Sequence, residues 1–204
     1  QFTDAKKSGI PTTYYGKSSG IGLLIESLAK EKAMRIGVVG LGVGTLTAYV
    51  GKGDYIRYYE LDPADVDIAQ KYFTYLSDSQ AEKDIVIGDA RLSLEREPPQ
   101  NFDVLVIDAF SGDSIPTHLL TQEAMAIYLR HLRPNGVVAF HITNAHLDLL
   151  PVVAALVSSF KLSAILIESG TVLSQNIYLF PICKNRYQLD NQLHSNLQYA
   201  HPTI

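Results

Sequence analysis

Residues Arg35–Glu60, RIGVVGLGVGTLTAYVGKGDYIRYYE, constrain the fold more than any other stretch of the chain. A short apolar run, Ile36–Val39, predicts a strand that leads straight into Gly40-Leu41-Gly42-Val43-Gly44. Thr45–Val50 predicts helix, and Tyr55–Tyr59 predicts a second strand that ends on a carboxylate, Glu60. Strand, glycine turn, helix, strand and acid make the first half of a nucleotide-binding α/β sheet. Glu60 falls twenty residues after Gly40, where an acid at a strand's carboxyl end can accept from two ribose hydroxyls.

The dinucleotide form of this turn is G-x-G-x-x-G. Here the third glycine comes one residue early, and Thr45 stands where that pattern has glycine. A G-x-G-x-G turn suits a nucleoside without a pyrophosphate, such as S-adenosylmethionine. The alternative is a glycine-rich turn that holds no ligand.

Composition removes several classes. At 204 residues, the chain fits one domain with a full core. Net charge is −4 with no block of like charge, so nothing points to nucleic acid. The single cysteine, Cys183, excludes an internal disulfide and a cysteine metal cluster, and its apolar surroundings predict inert core. His118, His141 and His146 show no H-x-x-x-H or H-E-x-x-H spacing, so no metal is expected. No G-x-S-x-G elbow suggests a hydrolase. Leu149–Val157 is too short for a membrane helix, which needs about 20 apolar residues. The first residue is Gln1 rather than Met, which predicts a segment upstream.

The remaining order of elements follows from periodicity and punctuation. Residues 1–30 read as a polar arm and a lead-in helix, Ile21–Ala29, with Tyr14 and Tyr15 just ahead of it. Those tyrosines either pack or cover a pocket at the sheet edge. Asp62 and Pro63 are an N-cap and first helical residue, and Val66, Ala69, Phe73 and Leu76 predict one buried helical face. Asp84–Ile87 predicts a third strand, closed by Gly88-Asp89-Ala90, where Asp89 can cap the short helix Ala90–Glu95 or face an adenine amino group. Phe102–Ile107 is apolar throughout, as a strand buried on both faces must be, and delivers Asp108 to its carboxyl end. A loop, Ala109–Pro116, carries Asp113. Thr121 caps a helix with an apolar face of Met125, Tyr128, Leu129 and Leu132, stopped by Pro134-Asn135-Gly136. Val137–Ile142 predicts a fifth strand ending near His141 and Asn144, and Leu149–Phe160 another helix. Leu162–Ile167 and Asn176–Ile182 have no room for a helix between them, so that strand pair must be antiparallel. Residues 187–204 read as a loosely packed tail.

This order predicts an α/β chain of the class I S-adenosylmethionine-dependent methyltransferase-like (Rossmann-like) fold, a mostly parallel seven-stranded sheet with a terminal antiparallel strand. The main domain would span 31–186. Glu60, Asp89 and Asp108 then fall at carboxyl ends of parallel strands, where open α/β sheets bind ligands, with Asp113 on the loop above. Unmatched acids there repel one another, and a sulfonium or a polyamine would relieve that.

Gly40–Gly44, Tyr59-Glu60-Leu61-Asp62, Gly88-Asp89-Ala90, and Asp103–Asp108 followed by His118-Leu119-Leu120-Thr121 resemble the spermidine synthases, the polyamine aminopropyltransferases. The stretches PTTYYG, GLGVGTL, YYELDP, GDARLSLE, DAFSGDSIPTHLLT and HITN are similar to those of bacterial spermidine-synthase-like domains fused to membrane-spanning segments. The resemblance runs from about Pro11 to Val153. It implies that Gly40, Gly42 and Gly44 cradle the methionine-derived arm, that Glu60 holds the ribose, and that Asp89, with Ala90 beside it, holds the adenine. Asp108 would be the acid nearest the reacting centre, assisted by Asp113, with Tyr14, Tyr15, His141 and Asn144 facing the amine.

The implied co-substrate is decarboxylated S-adenosylmethionine or S-adenosylmethionine, without a metal, and the implied acceptor a small putrescine-like amine. A cytoplasmic domain, an inner-membrane tether upstream and a homodimer are further implications. In the family an aspartate stands at the position of Val43, a Tyr-His-Glu stretch precedes the first strand, and an amino-terminal strand domain helps close the amine site; these 204 residues show none of the three. Three functions stay open: an aminopropyltransferase releasing methylthioadenosine, a methyltransferase using intact S-adenosylmethionine, and a non-catalytic nucleoside-binding regulator of a membrane protein.

Overall fold

A computed structural model describes residues 1–4, 6–28, 33–110, 115–142, 147–169 and 175–181, with side chains at all of these except Tyr14, 168–169 and 175–181. Cys183, the tail and the loop acid Asp113 lie outside the described residues, as do Asn144 and His146.

Seven strands form one sheet: β1 (Arg35–Val39), β2 (Tyr55–Glu60), β3 (Glu82–Ile87), β4 (Phe102–Ile107), β5 (Leu132–His141), β6 (Ile165–Ser169) and β7 (Gln175–Pro181). Their order is β3-β2-β1-β4-β5-β7-β6. The first five run parallel, and β7 pairs antiparallel with both β5 and β6. The antiparallel terminal pair is the one expected from the missing helix. Successive strands run outward from β1 on one side and continue from β4 on the other, so the order reverses between β1 and β4. A crevice opens at such a reversal, outside the strands' carboxyl ends.

Side-chain alternation divides the core between the two faces of the sheet. Val39, Tyr59, Leu105, Ile107, Val138 and Phe140 pack on one face. That face carries helices α4 (Ala90–Arg96), α5 (Gln122–His131) and α6 (Leu150–Ser159), through Leu94, Met125, Tyr128, Val153 and Leu156. Ile36, Val38, Ile56, Tyr58, Val104 and Val106 face the other way. There they meet α1 (Gly20–Leu28), α2 (Pro63–Tyr72) and α3 (Tyr75–Asp78), through Ile21, Leu24, Ala69 and Leu76. Both faces are therefore covered, and every residue of β4 is buried.

The stretch after the glycine turn, Thr45–Tyr49, is helical as expected, in the 3₁₀ form. Two helical faces and one helix stop are corrected. The face drawn through Val66, Ala69, Phe73 and Leu76 is divided between two helices. The first ends at Tyr72, Phe73 is extended (φ −128°), and Leu76 belongs to α3. The helix capped by Thr121 ends at His131, so its buried face closes on His131 and not on Leu132. Leu132 is already in β5, paired with Phe102, and Pro134-Asn135-Gly136 forms an irregularity inside that strand before Val137 pairs with Val104. Asn135 takes a left-handed φ of 67° there, and a Cβ on Gly136 would lie 2.8 Å from the Phe102 carbonyl oxygen.

Candidate active site

The strand ladders carry four predicted residues to one edge. Tyr59 and Ile107 both pair with Val39, and Ile107 also pairs with Phe140, so Glu60, Gly40, Asp108 and His141 are the next residues across adjacent strands. The hydrogen bonding runs on past the pairs. Gly40 N donates to Tyr59 O (2.9 Å), Asp108 N to Val39 O (2.9 Å), and Gly88 N to Glu60 O (2.8 Å). The edge is thus a fixed frame for side chains and not a loose set of loops.

Gly40 (φ +97°) turns the chain directly over β4: a Cβ there would lie 2.6 Å from the Asp108 carbonyl oxygen. Gly44 (φ +75°) is filled from beside, its Cβ position lying 2.9 Å from Leu76. At Gly42 (φ +53°), by contrast, nothing lies within 4 Å of a Cβ. Two of the three glycines are therefore required by packing, and Gly42 is the one that faces open space. Val43 between them is half-buried.

Glu60 is buried at 8% exposure and is tied to the turn it was expected to accompany. Its Oε2 accepts from Leu41 N at 2.8 Å and its Oε1 from Asp62 N at 3.0 Å. Each carboxylate oxygen keeps a further acceptor site. Asp89 caps α4, its Oδ1 accepting from Leu92 N at 2.9 Å, while its Oδ2 lies 3.1 Å from His118 Nε2. Ala90 is the buried first residue of that helix.

Asp108 is as enclosed as Glu60, at 8% exposure. Tyr15, at the end of a 3₁₀ turn (Thr13–Tyr15), donates its hydroxyl to Oδ2. His141 Nδ1 lies 2.5 Å from Oδ1. Phe110 meets the imidazole edge to face at 5.1 Å. Of the residues expected to face an amine, Tyr15 and His141 are thus assembled on Asp108. The side chain of Tyr14, like Asp113 and Asn144, lies outside what is described.

Glu60, Asp89 and Asp108 each accept from groups of the chain itself, and Asp89 caps its helix as it was expected to be able to. Charge crowding shows at Asp65 on the exposed side of α2, whose carboxyl is raised by desolvation first and then by Glu60 and Asp62. Two contributors escaped the sequence reading. Tyr49 donates its hydroxyl to Tyr15 O at 2.5 Å, tying the 3₁₀ helix after the glycine turn to the segment that covers Asp108. Burial, and then Glu26, raise its pKa. A glycine in a helical stretch was the available signal, since a Cβ on Gly22 in α1 would lie 2.6 Å from the Tyr49 hydroxyl. His118, weighed only as a metal ligand, is the partner of Asp89. Among the described residues no group of three or more His, Cys, Asp or Glu is placed to hold a metal ion, and no helix is long and apolar enough to cross a membrane.

A seven-stranded sheet of this order, with a glycine turn and acids at its carboxyl edge, defines a Rossmann-like methyltransferase fold. No family model matches the sequence. Among curated proteins, the chain is similar to a polyamine aminopropyltransferase of Vibrio vulnificus, 32% identical over 116 residues, covering 54% of this chain and 38% of that protein. It is also similar to an N-terminal histidine N-methyltransferase of Emericella nidulans, 31% identical over 109 residues, covering 51% of this chain and 19% of that one. The chain thus matches well under half the length of either relative. Among solved structures, spermidine synthase from Thermotoga maritima superposes with a TM-score of 0.60 at 17% identity, covering 87% of this chain and 65% of that one. Human methyltransferase-like protein 13 in complex with SAH does so with a TM-score of 0.66 at 18% identity, covering 91% and 93%. Spermidine synthases and polyamine aminopropyltransferases therefore stand among both the curated and the structural neighbours, and the structural likeness establishes the fold.

Proposed function

We propose that the chain is a spermidine synthase-like transferase that moves an aminopropyl group from a decarboxylated S-adenosylmethionine-type donor to a small amine. The observation that carries this reading is Asp108, a buried carboxylate beside the glycine turn at the reversal of strand order, held on both oxygens. Glu60 would take the ribose hydroxyls on its remaining acceptor sites, Asp89 the adenine amino group, and the open side of Gly42 the methionine-derived arm. The amine's nitrogen attacks the methylene beside the sulfonium, a C–N bond forms, and the C–S electron pair stays on sulfur as neutral methylthioadenosine leaves. Positive charge moves from sulfur to nitrogen, a carboxylate near that nitrogen serves as electrostatic partner, and the amine's proton passes to a base at the same edge. Asp113 would assist in holding the amine.

Val43 favours a second reading. With a half-buried valine where the aminopropyltransferases carry an aspartate, an intact S-adenosylmethionine meets no like charge in the turn, and methyl transfer becomes open to the same site. Asp108→Asn separates binding from chemistry. We expect turnover to fall about 10²–10⁴-fold with adenosyl-ligand affinity nearly unchanged, as for disabled acid–base and electrostatic assistance of the transition state. Full activity in that variant removes Asp108 from the mechanism.

A further inference from the structure

Resting on the amine-transfer reading, we propose that His141, held by Asp108, is the group that takes the acceptor's proton, and that Asp108 serves it as orienting and stabilising carboxylate. Parallel pairing of Ile107 with Phe140 leaves the two side chains adjacent as they emerge from β4 and β5. Both are buried, Asp108 at 8% and His141 at 6%. The Oδ1–Nδ1 separation of 2.5 Å puts the carboxylate and the imidazole in direct hydrogen-bond contact.

An ionised carboxylate can only accept, so Nδ1 is the donor and Nε2 is the basic nitrogen of the ring. Asp108 is poorly suited to be the proton's resting place. Its Oδ1 already accepts from the imidazole and its Oδ2 from the Tyr15 hydroxyl, so each oxygen is engaged by a donor of the chain itself. Among the described side chains, those against the ring or its partner include Asp108 on β4, the Tyr15 hydroxyl reaching Asp108 from the 3₁₀ turn, and Phe110, which meets the imidazole edge to face.

The step balances without a further reactant. An N–H bond of the acceptor ammonium breaks, its electron pair staying on nitrogen, and the proton goes to Nε2. The neutral amine then displaces the thioether as above, and the imidazolium returns its proton to water.

His141→Gln keeps an amide donor toward Asp108 and cannot take the proton. In the wild type, kcat/KM should rise with pH through one ionisation of the free enzyme. In His141→Gln that limb should vanish and kcat fall about 10²-fold or more, with KM for the adenosyl donor unchanged. A limb retained in the variant, with kcat within about threefold of wild type, overturns the proposal, since a histidine that merely packs would leave the profile in place. A second readout needs no turnover. In ¹⁵N-histidine spectra of the whole chain, His141 should show the Nδ1-protonated tautomer in the wild type and lose that preference in Asp108→Ala. A tautomer pattern unchanged by the substitution overturns the pair. Should the wild type transfer nothing from any sulfonium donor, the amine-transfer reading fails, while the spectra still decide whether Asp108 controls the His141 proton.

Discussion

Glu60→Gln tests whether the acid after β2 is part of the turn as well as of the ligand site. In the folded chain one carboxylate oxygen accepts from Leu41 N at 2.8 Å and the other from Asp62 N at 3.0 Å, with the side chain 8% exposed. Glutamine offers one oxygen and, in place of the other, an NH₂ that is itself a donor. One backbone N–H would then face another donor, and the remaining bond would lose its charge assistance. A buried amide left unsatisfied costs about 1–3 kcal/mol. We therefore expect Glu60→Gln to lower folding stability by about 1–3 kcal/mol with no ligand added. At roughly 2–4 °C per kcal/mol for a chain of this size, Tm should fall by roughly 2–12 °C. Calorimetric titration with methylthioadenosine or S-adenosylmethionine should show a further loss in binding of roughly 1–3 kcal/mol, measured where the variant is fully folded. A variant that melts with the wild type refutes the structural half of the argument. A variant that binds with full affinity refutes the ribose half.

The first and the middle glycine of the turn should respond differently to alanine. Gly40→Ala combines left-handed strain of about 1–2 kcal/mol with a contact against the Asp108 backbone, and should cost about 2–5 kcal/mol in urea unfolding. Gly42→Ala meets open space, so only the strain should appear in stability while adenosyl binding is lost. Burial, the largest cause, lowers the pKa of His131, which is fully enclosed with Nε2 2.7 Å from Leu94 O. Below about pH 6.5 the unfolded chain binds a proton that the folded one refuses, so stability should fall with pH there, by at most about 1.4 kcal/mol per unit from this group. Urea midpoints from pH 5 to 7.5 should lose that component in His131→Gln, and an unchanged slope would exclude His131 as its source. Val43→Asp should restore a preference for the decarboxylated donor, where the wild type discriminates within about tenfold; like charges about 4 Å apart cost roughly 1 kcal/mol in water and about 4 at an effective dielectric of 20. A melting curve separates this from simple destabilisation of a half-buried site, and a wild-type preference of about a hundredfold would show that another residue selects the donor.

The sheet was legible because its signals are local. Apolar β-runs, the Gly40–Gly44 turn and the Asp62-Pro63 and Thr121 starts each fix one element, and parallel topology follows from alternation. What failed was the continuation of a helical period across a tertiary break. Leu76 keeps the spacing of Ala69, yet Phe73 is extended and Leu76 instead fills the space beside Gly44. Leu132 likewise keeps helical spacing from Tyr128, but pairing with Phe102 draws it into β5 and turns His131 inward. At the edge, strand ends located Glu60, Asp89, Asp108 and His141. Their hydrogen-bond partners were not legible, since Leu41 N, His118 and Tyr15 meet them only through the fold. Tyr49 was hidden for the same reason: its partner is a backbone carbonyl 34 residues away.

The most direct test of the account is the product formed. Folded protein would be incubated with decarboxylated and, separately, intact S-adenosylmethionine and a panel of small primary amines, and the mixtures resolved by mass spectrometry. The account predicts methylthioadenosine together with an amine extended by one aminopropyl group, dependent on Asp108 and His141. A methylated acceptor with adenosylhomocysteine, or no product from any donor by protein that binds adenosyl ligands, would contradict it.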